Sequence, residues 1–381
     1  MDIKQVMKRH AYQNMPLGYD AAYELGMLAL RGCAGDPLAQ IQSIVALSAL
    51  HTRATYHAAD DAAAEQIAGV CATVFDHDIA TSTLGFIEPV GDVMDNCGMG
   101  GDLVVTANVS TLAALIAAAG GIRMCKHGSP ANADGGRHGS SDFIDLLGIE
   151  RCPEVGMVER CVDELGFGYS EALDTRYKRI HCQTHEVAQL PHMNDIIGPV
   201  TNPVRPTKLK RRVLGINHLI PPRVVAKAFR ILNTRGITVV THGLFVRGFT
   251  DDRTSASGMD EVSICQAGTL VAELKDGEIT EYWLTAEDFG LKSVASAAIS
   301  PASGMSKGEF SMRILCGEIQ GPPLQMVLAN AALLFKLNDP ALTYPEAYQR
   351  AEQIHRDKLD QNIATEVARL IPSQKGAMCL N

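Results

Sequence analysis

The sequence predicts an α/β protein: a mainly parallel central sheet flanked by helices, preceded by a small all-α domain. Two observations carry this. From Ile3 to about Val74 apolar residues recur at helical spacing with no strand-like alternation. After Pro89 short apolar runs end in glycine-rich turns, each followed by an alanine-rich or leucine-rich helical stretch, the alternation expected of parallel strands with crossover helices. At 381 residues the chain also exceeds one ordinary hydrophobic core, so we expect a helical domain over residues 1–75 and an α/β domain over 76–381.

The elements follow in chain order. Turn signals at Pro16-Leu17-Gly18, Gly32 and Gly35-Asp36-Pro37 divide the first segment into helices. One of these, Leu38 to Leu47, sets Leu38, Ile41 and Val45 on a stripe, with Ile44 beside it, facing either a core or a partner helix. Strands are predicted at Ile122–Cys125, Arg212–Gly215 and Gly236–Val240, and helices at Thr111–Ala119, Ser141–Leu147, Val155–Leu165 and Pro222–Asn233. The chain is helical again from about Met326. Leu244–Ser257 shows no clear period and reads as a flexible insert, a lid, a partner surface or a tolerated loop.

Composition narrows the class. An apolar fraction of 46%, 34 glycines and 5% aromatics fit a glycine-rich and alanine-rich α/β enzyme. The net charge of -9 repels polyanions overall, so nucleic-acid binding would need a local basic patch. Arg205 to Arg212 is such a stretch, and equally a solvated approach to a strand. Ten cysteines are scattered without a CxxC pair, which reads as reduced thiols. The longest apolar run, about Leu112 to Ile122, is too short to span a bilayer, and no signal-peptide pattern opens the chain. A cytoplasmic protein is expected, with no membrane partner.

Three blocks carry chemistry. Asp95-Asn96-Cys97-Gly98-Met99-Gly100-Gly101-Asp102 is followed by Asn108, Ser110 and Thr111 at the head of a helix. Glycines let backbone N–H groups converge, and a helix N-terminus adds donors and a favourable dipole for an anion. The loop has neither the P-loop lysine nor the Rossmann spacing. The second block, Lys126-His127-Gly128-Ser129, closes a predicted strand, where open α/β sheets bind ligands. Lys126 there fits a phosphate partner or a solvated loop lysine. The third, Gly258-Met259-Asp260-Glu261, offers adjacent carboxylates that suit Mg²⁺ or are plain surface charge.

Together and in this order, the blocks resemble the anthranilate phosphoribosyltransferase family. Asp95, Gly98, Gly100, Gly101, Asp102, Asn108, Ser110, Thr111, Lys126, His127 and Gly128 match its pattern, with Met99 in place of a threonine. Gly198-Pro199-Val200-Thr201-Asn202-Pro203, His242-Gly243 and Asp260-Glu261 match further signatures. The resemblance implies the nucleoside phosphorylase/phosphoribosyltransferase fold, with the helical domain completed by helices near 168–195, and a homodimer formed through it. It further implies a phosphoribosyl pyrophosphate site made of Gly98, Gly100, Gly101, Asp102, Asn108, Ser110, Thr111, Lys126, His127 and Gly128. Mg²⁺ would be held by Ser110, Asp260 and Glu261, and Lys126, Asp260 and Glu261 would be the catalytic residues.

The acceptor half departs from that family. Ser129 replaces an asparagine, Tyr169-Ser170-Glu171 replaces Phe-Ala-Pro, Asp174 stands near a histidine position, and His185 stands near an arginine that faces the anthranilate carboxylate. Ser129, Asp174 and His185 are thus the acceptor-pocket candidates. The expected function is Mg²⁺-dependent phosphoribosyl transfer to a small aromatic or heterocyclic acceptor other than anthranilate. A phosphorylase-like enzyme and a non-catalytic paralogue binding nucleic acid or protein are the alternatives; nucleic acid is not favoured.

Overall fold

The computed structural model of the chain describes residues 4–6, 8, 15–56, 60–102, 104–130, 139–183, 192–357 and 363–373. Three helices open it: α1 (Tyr19–Cys33), α2 (Pro37–Tyr56) and α3 (Asp60–Thr73). Then come β1 (Val93–Gly98), α4 (Val109–Ala119), β2 (Met124–Gly128), α5 (Ser140–Leu146), α6 (Val155–Leu165) and β3 (Phe167–Glu171). The middle holds α7 (Asn194–Val200), β4 (Leu209–Gly215), α8 (Pro222–Thr234), β5 (His242–Phe249) and β6 (Gly258–Met259). The last part comprises β7 (Gly268–Lys275), β8 (Glu278–Leu284), α9 (Lys307–Leu315), α10 (Pro322–Asn338), α11 (Tyr344–Asp357) and α12 (Ile363–Leu370).

The sheet runs β3-β2-β1-β4-β5-β7-β8, with β6 on the end of β5. The first five strands are parallel and β7 and β8 antiparallel. Helices cover both faces. On one face α4 and α10 pack with Met94, Met124, Leu244 and Val246. On the other, α1 to α3 share a core with α7, α8 and the sheet residues Leu214, Phe245 and Ala272. Parallel strands buried on both sides read as continuous apolar runs, which explains why β2 and β4 were legible in the sequence.

Four expectations are corrected. Gly236–Val240 is not a strand: Asn233 Oδ1 accepts from Val240 N at 3.0 Å and Asn233 Nδ2 donates to Val240 O at 2.7 Å, which ties the segment to the end of α8. The supposed insert at Leu244–Ser257 is mostly β5, a central strand between β4 and β7; only the residues after Phe249 turn back, around Asp252, whose carboxylate accepts from Thr254 and Ser257. Of the helices expected near 168–195, Phe167–Glu171 forms instead the edge strand β3, and among the described residues the short turn Arg179–His181 and α7 adjoin the helices. Finally, the cysteines are not all reduced. A disulfide joins Cys33 at the end of α1 to Cys182, a pairing across 149 residues that spacing could not reveal.

The stripe on α2 faces outward. Leu38, Ile41 and Val45 are 64%, 64% and 60% exposed, while Ala39, Ala46, Leu47 and Leu50 form the face turned to the core. Among the described residues, no helix is long and apolar enough to cross a membrane.

Candidate active site

The site lies where β1, β4 and β5 end. β1 closes on Gly98, paired in register with Gly215 of β4, and Gly215 O accepts from Met99 N at 3.0 Å. Across these strand ends runs Asp260-Glu261. The crossing requires glycine: a Cβ on Gly98 would stand 2.0 Å from Asp260 Oδ2, one on Gly215 1.5 Å from Asp260 O, and one on Gly248 2.3 Å from Glu261 O. Three adjacent strands are thus cut back to admit one pair of carboxylates.

The glycine-rich loop wraps the same pair. Gly100 N donates to Asp260 Oδ2 at 2.7 Å, and Asp260 N donates to both oxygens of Asp102, at 3.1 and 3.0 Å. Thr106 Oγ1 donates to Glu261 Oε2 at 3.2 Å. Oxygens of Asp102, Asp260 and Glu261 all lie within 4.8 Å of one another. Burial, and then the charges of Asp260 and Glu261, push the Asp102 carboxyl well above the usual carboxylate range. Like charges held this close, with oxygen-only donors, fit a hard divalent cation such as Mg²⁺.

Beyond the carboxylates, α4 begins at Asn108, and Ser110 in its first turn lines the cleft. Lys126 lies beneath, fully buried, its Nζ 2.8 Å from Asn96 O and 3.3 Å from Ser110 Oγ. Burial lowers its pKa, opposed by the nearby thiol Cys97 and by Asp95 and Asp260. A second buried network supports the floor. Arg212 donates to Asp95 Oδ2 at 2.7 Å and to Pro199 O at 2.8 Å, while the His127 ring meets Asp95, Asn202 and Gly198 O. Burial works against ionisation of Asp95, yet the adjoining charges of His127 and Arg212 hold it well below its ordinary value.

The structure sorts the candidates. Gly98, Gly100, Asp102, Asn108, Ser110, Ser129, Asp260 and Glu261 line one open cleft. Gly101 lies in the loop between lining residues, with a φ of 79°. Thr111, Lys126, His127 and Gly128 are buried below the surface; a Cβ on Gly128 would stand 2.6 Å from Ser140. Asp174 is not in the lining; Arg176 holds it through Nε at 3.1 Å and Nη2 at 2.8 Å. His185 and the loop 131–138 lie outside the described residues.

Sequence reasoning missed three contributions. Asp102 joins the carboxylate cluster, whereas the sequence pattern assigns it to the diphosphate. Lys307, the first residue of α9, lines the cleft from a part of the sequence far from the glycine-rich loop. Ser311 Oγ accepts from Asn108 N at 2.7 Å and Nδ2 at 3.1 Å, fastening α9 to α4. A helix start at Ser306 was legible from serine followed three residues later by Glu309, but no local signal names the cleft it reaches.

The basic stretch is engaged within the chain. Arg205 pairs with Glu88, Lys210 with Asp92 at 3.0 Å, and Arg211 donates to Asn338 Oδ1 at 3.1 Å, while Arg212 is buried on Asp95. Four of its cations thus have partners within the chain, which favours the reading of a solvated approach to a strand.

Residues 90–357 match the family described as glycosyl transferase family, a/b domain, which is most of the chain. The chain belongs to that family. Among related sequences, the anthranilate phosphoribosyltransferase of Thiobacillus denitrificans is 30% identical over 278 residues, 71% of this chain and 75% of the relative. That of Symbiobacterium thermophilum is 34% identical over 263 residues, 68% and 71% of the two chains. This glycosyl transferase is accordingly a phosphoribosyltransferase of the anthranilate type in sequence. Its fold agrees with the enzyme from Thermus thermophilus at a TM-score of 0.72 and 25% identity, covering 97% of this chain and 99% of that one. The Saccharomyces cerevisiae enzyme, solved in complex with PRPP and Mg, matches the fold at a TM-score of 0.73 and 20% identity, covering 97% of each chain.

Proposed function

We propose that the chain transfers the phosphoribosyl group of phosphoribosyl pyrophosphate, with Mg²⁺, to a small aromatic or heterocyclic acceptor other than anthranilate. The observation that carries the donor half is the meeting of Asp102, Asp260 and Glu261 beside the Ser110 end of α4. When the bond from ribose C1 to the diphosphate breaks, negative charge grows on the leaving group and oxocarbenium character on the sugar. The first-turn amides of α4 and the Ser110 hydroxyl face the leaving group, and Lys126 holds Ser110 from below. Mg²⁺, held by Asp260 and Glu261 with Asp102 and Ser110 adjoining, would neutralise diphosphate charge. No covalent nucleophile is required; the acceptor attacks C1 directly while both substrates are held in line.

An acceptor other than anthranilate is supported by three described cations, Arg176, Lys178 and Arg179, that stand in the stretch of the missing arginine. A carboxylate acceptor wants a free guanidinium. Arg176 is bound to Asp174, Arg179 to Asp78 at 3.0 Å, and Lys178 is buried on Gly198 O and Thr201 O. Glu171 supports the same reading. It ends β3 in register with Gly128, on the face where Ser140 borders the cleft, and its Oε2 is buried without a hydrogen-bond partner. Glu171 lies behind the lining and not in it, so its carboxyl bears on the acceptor only through the Ser140 side of the wall.

Two further parts of the reading concern setting. The outward stripe Leu38, Ile41 and Val45 supports a homodimer through the helical domain. Seven described cysteines are free thiols, five of them buried, which supports a cytoplasmic setting, with Cys33–Cys182 the one bonded pair among the described residues.

Isothermal titration with phosphoribosyl pyrophosphate and Mg²⁺ tests the donor half. Wild type should bind, and Asp260→Ala should lose at least tenfold in affinity; absence of binding to wild type would remove the proposal. Anthranilate added to the donor-loaded enzyme should give neither heat nor phosphoribosyl transfer, and turnover would overturn the acceptor half.

A further inference from the structure

The charge lining the cleft is lopsided. Asp102, Asp260 and Glu261 give it three carboxylates, and among the described residues Lys307 is the only cation in its wall. Lys126 is buried below, held by Asn96 O and Ser110 Oγ. No carboxylate or carbonyl among the described residues holds the Lys307 ammonium, in contrast to Lys178, Lys210 and Lys336, each of which has an oxygen partner within 3.0 Å. A cation left without a protein partner in an acidic cleft is placed for an anion that arrives with its own counter-charge.

The position of Lys307 is also fixed. Ser311 Oγ donates to Lys307 O at 2.7 Å and accepts from Asn108 N and Nδ2, so one hydroxyl couples the backbone of Lys307 to the residue that opens α4. Ser306 caps the same turn by accepting from Glu309 N at 3.1 Å. Lys307 therefore keeps its register to Ser110 and the glycine-rich loop, even though it is remote from them in sequence.

We infer that Lys307 is a donor-positioning residue that binds a diphosphate oxygen from the α9 side, complementing the carboxylate-held cation. This rests on the donor half of the proposed function and adds a residue to it. Since Lys126 is turned to Asn96 O and Ser110 Oγ, Lys307 supplies the direct charge-assisted hydrogen bond to the phosphate.

The test compares wild type, Lys307→Ala and Lys307→Arg. Lys307→Ala should weaken phosphoribosyl pyrophosphate·Mg²⁺ binding and raise its KM by roughly tenfold or more, the usual effect of losing one hydrogen bond to a charged group, with a smaller change in kcat. Lys307→Arg should retain most of the affinity. The salt dependence of binding should flatten in Lys307→Ala, and the ligand-free melting temperature should stay unchanged, which a merely structural lysine would not give. Equal binding by wild type and Lys307→Ala, within twofold, would overturn the inference and leave the donor reading intact. Inorganic diphosphate with Mg²⁺ separates the two further. If wild type binds it through Lys307 but ignores phosphoribosyl pyrophosphate, the Lys307 contact to a diphosphate oxygen stands, while the donor reading falls and the donor-positioning role of Lys307 falls with it. If wild type binds neither, both fall.

Discussion

Gly98, Gly215 and Gly248 show how a single missing carbon at each of three strand ends makes room for chemistry. Asp260-Glu261 could be named from the sequence because the pair matches a signature of the family that the sequence resembles, and Gly98 because it sits in the loop motif. Gly215 and Gly248 carried no such mark, since only contact with Asp260 and Glu261 gives them a role. Glu171 is a residue whose behaviour can be predicted. Burial raises its carboxyl from 4.5 to about 7. Between these values the unfolded chain has released the proton and the folded chain retains it, so stability is fully present below about pH 4.5 and falls as pH rises through 7. The shift corresponds to about 3 kcal/mol at most. Glu171→Gln should flatten the decline, giving a higher melting temperature than wild type at pH 8 and little difference at pH 5; parallel melting curves across that range would refute it.

At the scale of elements, β5 and α9 mark the limits of periodicity. β5 carries Arg247-Gly248 within an apolar run, and that interruption reads as a loop until pairing with β4 and β7 supplies the missing hydrogen bonds. The helices α6 and α8 were legible because each has a strong apolar face and clear punctuation: Val155–Leu165 ends before Gly166, and Pro222–Thr234 opens on proline. The link between α9 and α4 is a tertiary matter with a testable weight. Ser311→Ala removes the hydroxyl that accepts from Asn108 N and Nδ2 in the buried interior, a loss of about 1 to 3 kcal/mol. We expect a lower melting temperature and a several-fold rise in the KM for phosphoribosyl pyrophosphate, relieved in part by Ser311→Thr. An unchanged KM would show that α9 does not position the site.

For the whole molecule, the unexplained surface is the α2 stripe. Three large aliphatic side chains spaced by three and four residues, each more than half exposed, suit a partner helix better than water. Sedimentation should find a dimer in wild type, and Ile41→Glu with Val45→Glu should convert it to a folded monomer. A monomeric wild type would dismiss the helical-domain interface. Among the described residues, the helical domain shares its core with the sheet. α3 packs on α8 and α7, and the shared cluster reaches Phe245 and Ala272, so the expected boundary near residue 75 cuts across a continuous core.

The sequence by itself determined what is local or periodic: the α/β alternation, the loop Asp95–Asp102, the lysine of β2 and the Asp260-Glu261 pair. Such features survive in one dimension because each depends on neighbours a few residues away. Tertiary structure alone decided which of them meet and which lie underneath. It placed Lys126 and His127 below the cleft, added Asp102 to the carboxylates, brought in Lys307, and paired Arg205, Lys210 and Arg212 with acids. The physical reason is that burial, ion pairing and close approach are properties of distances in space, set when strands β1, β4 and β5 come into register and their ends converge on one segment.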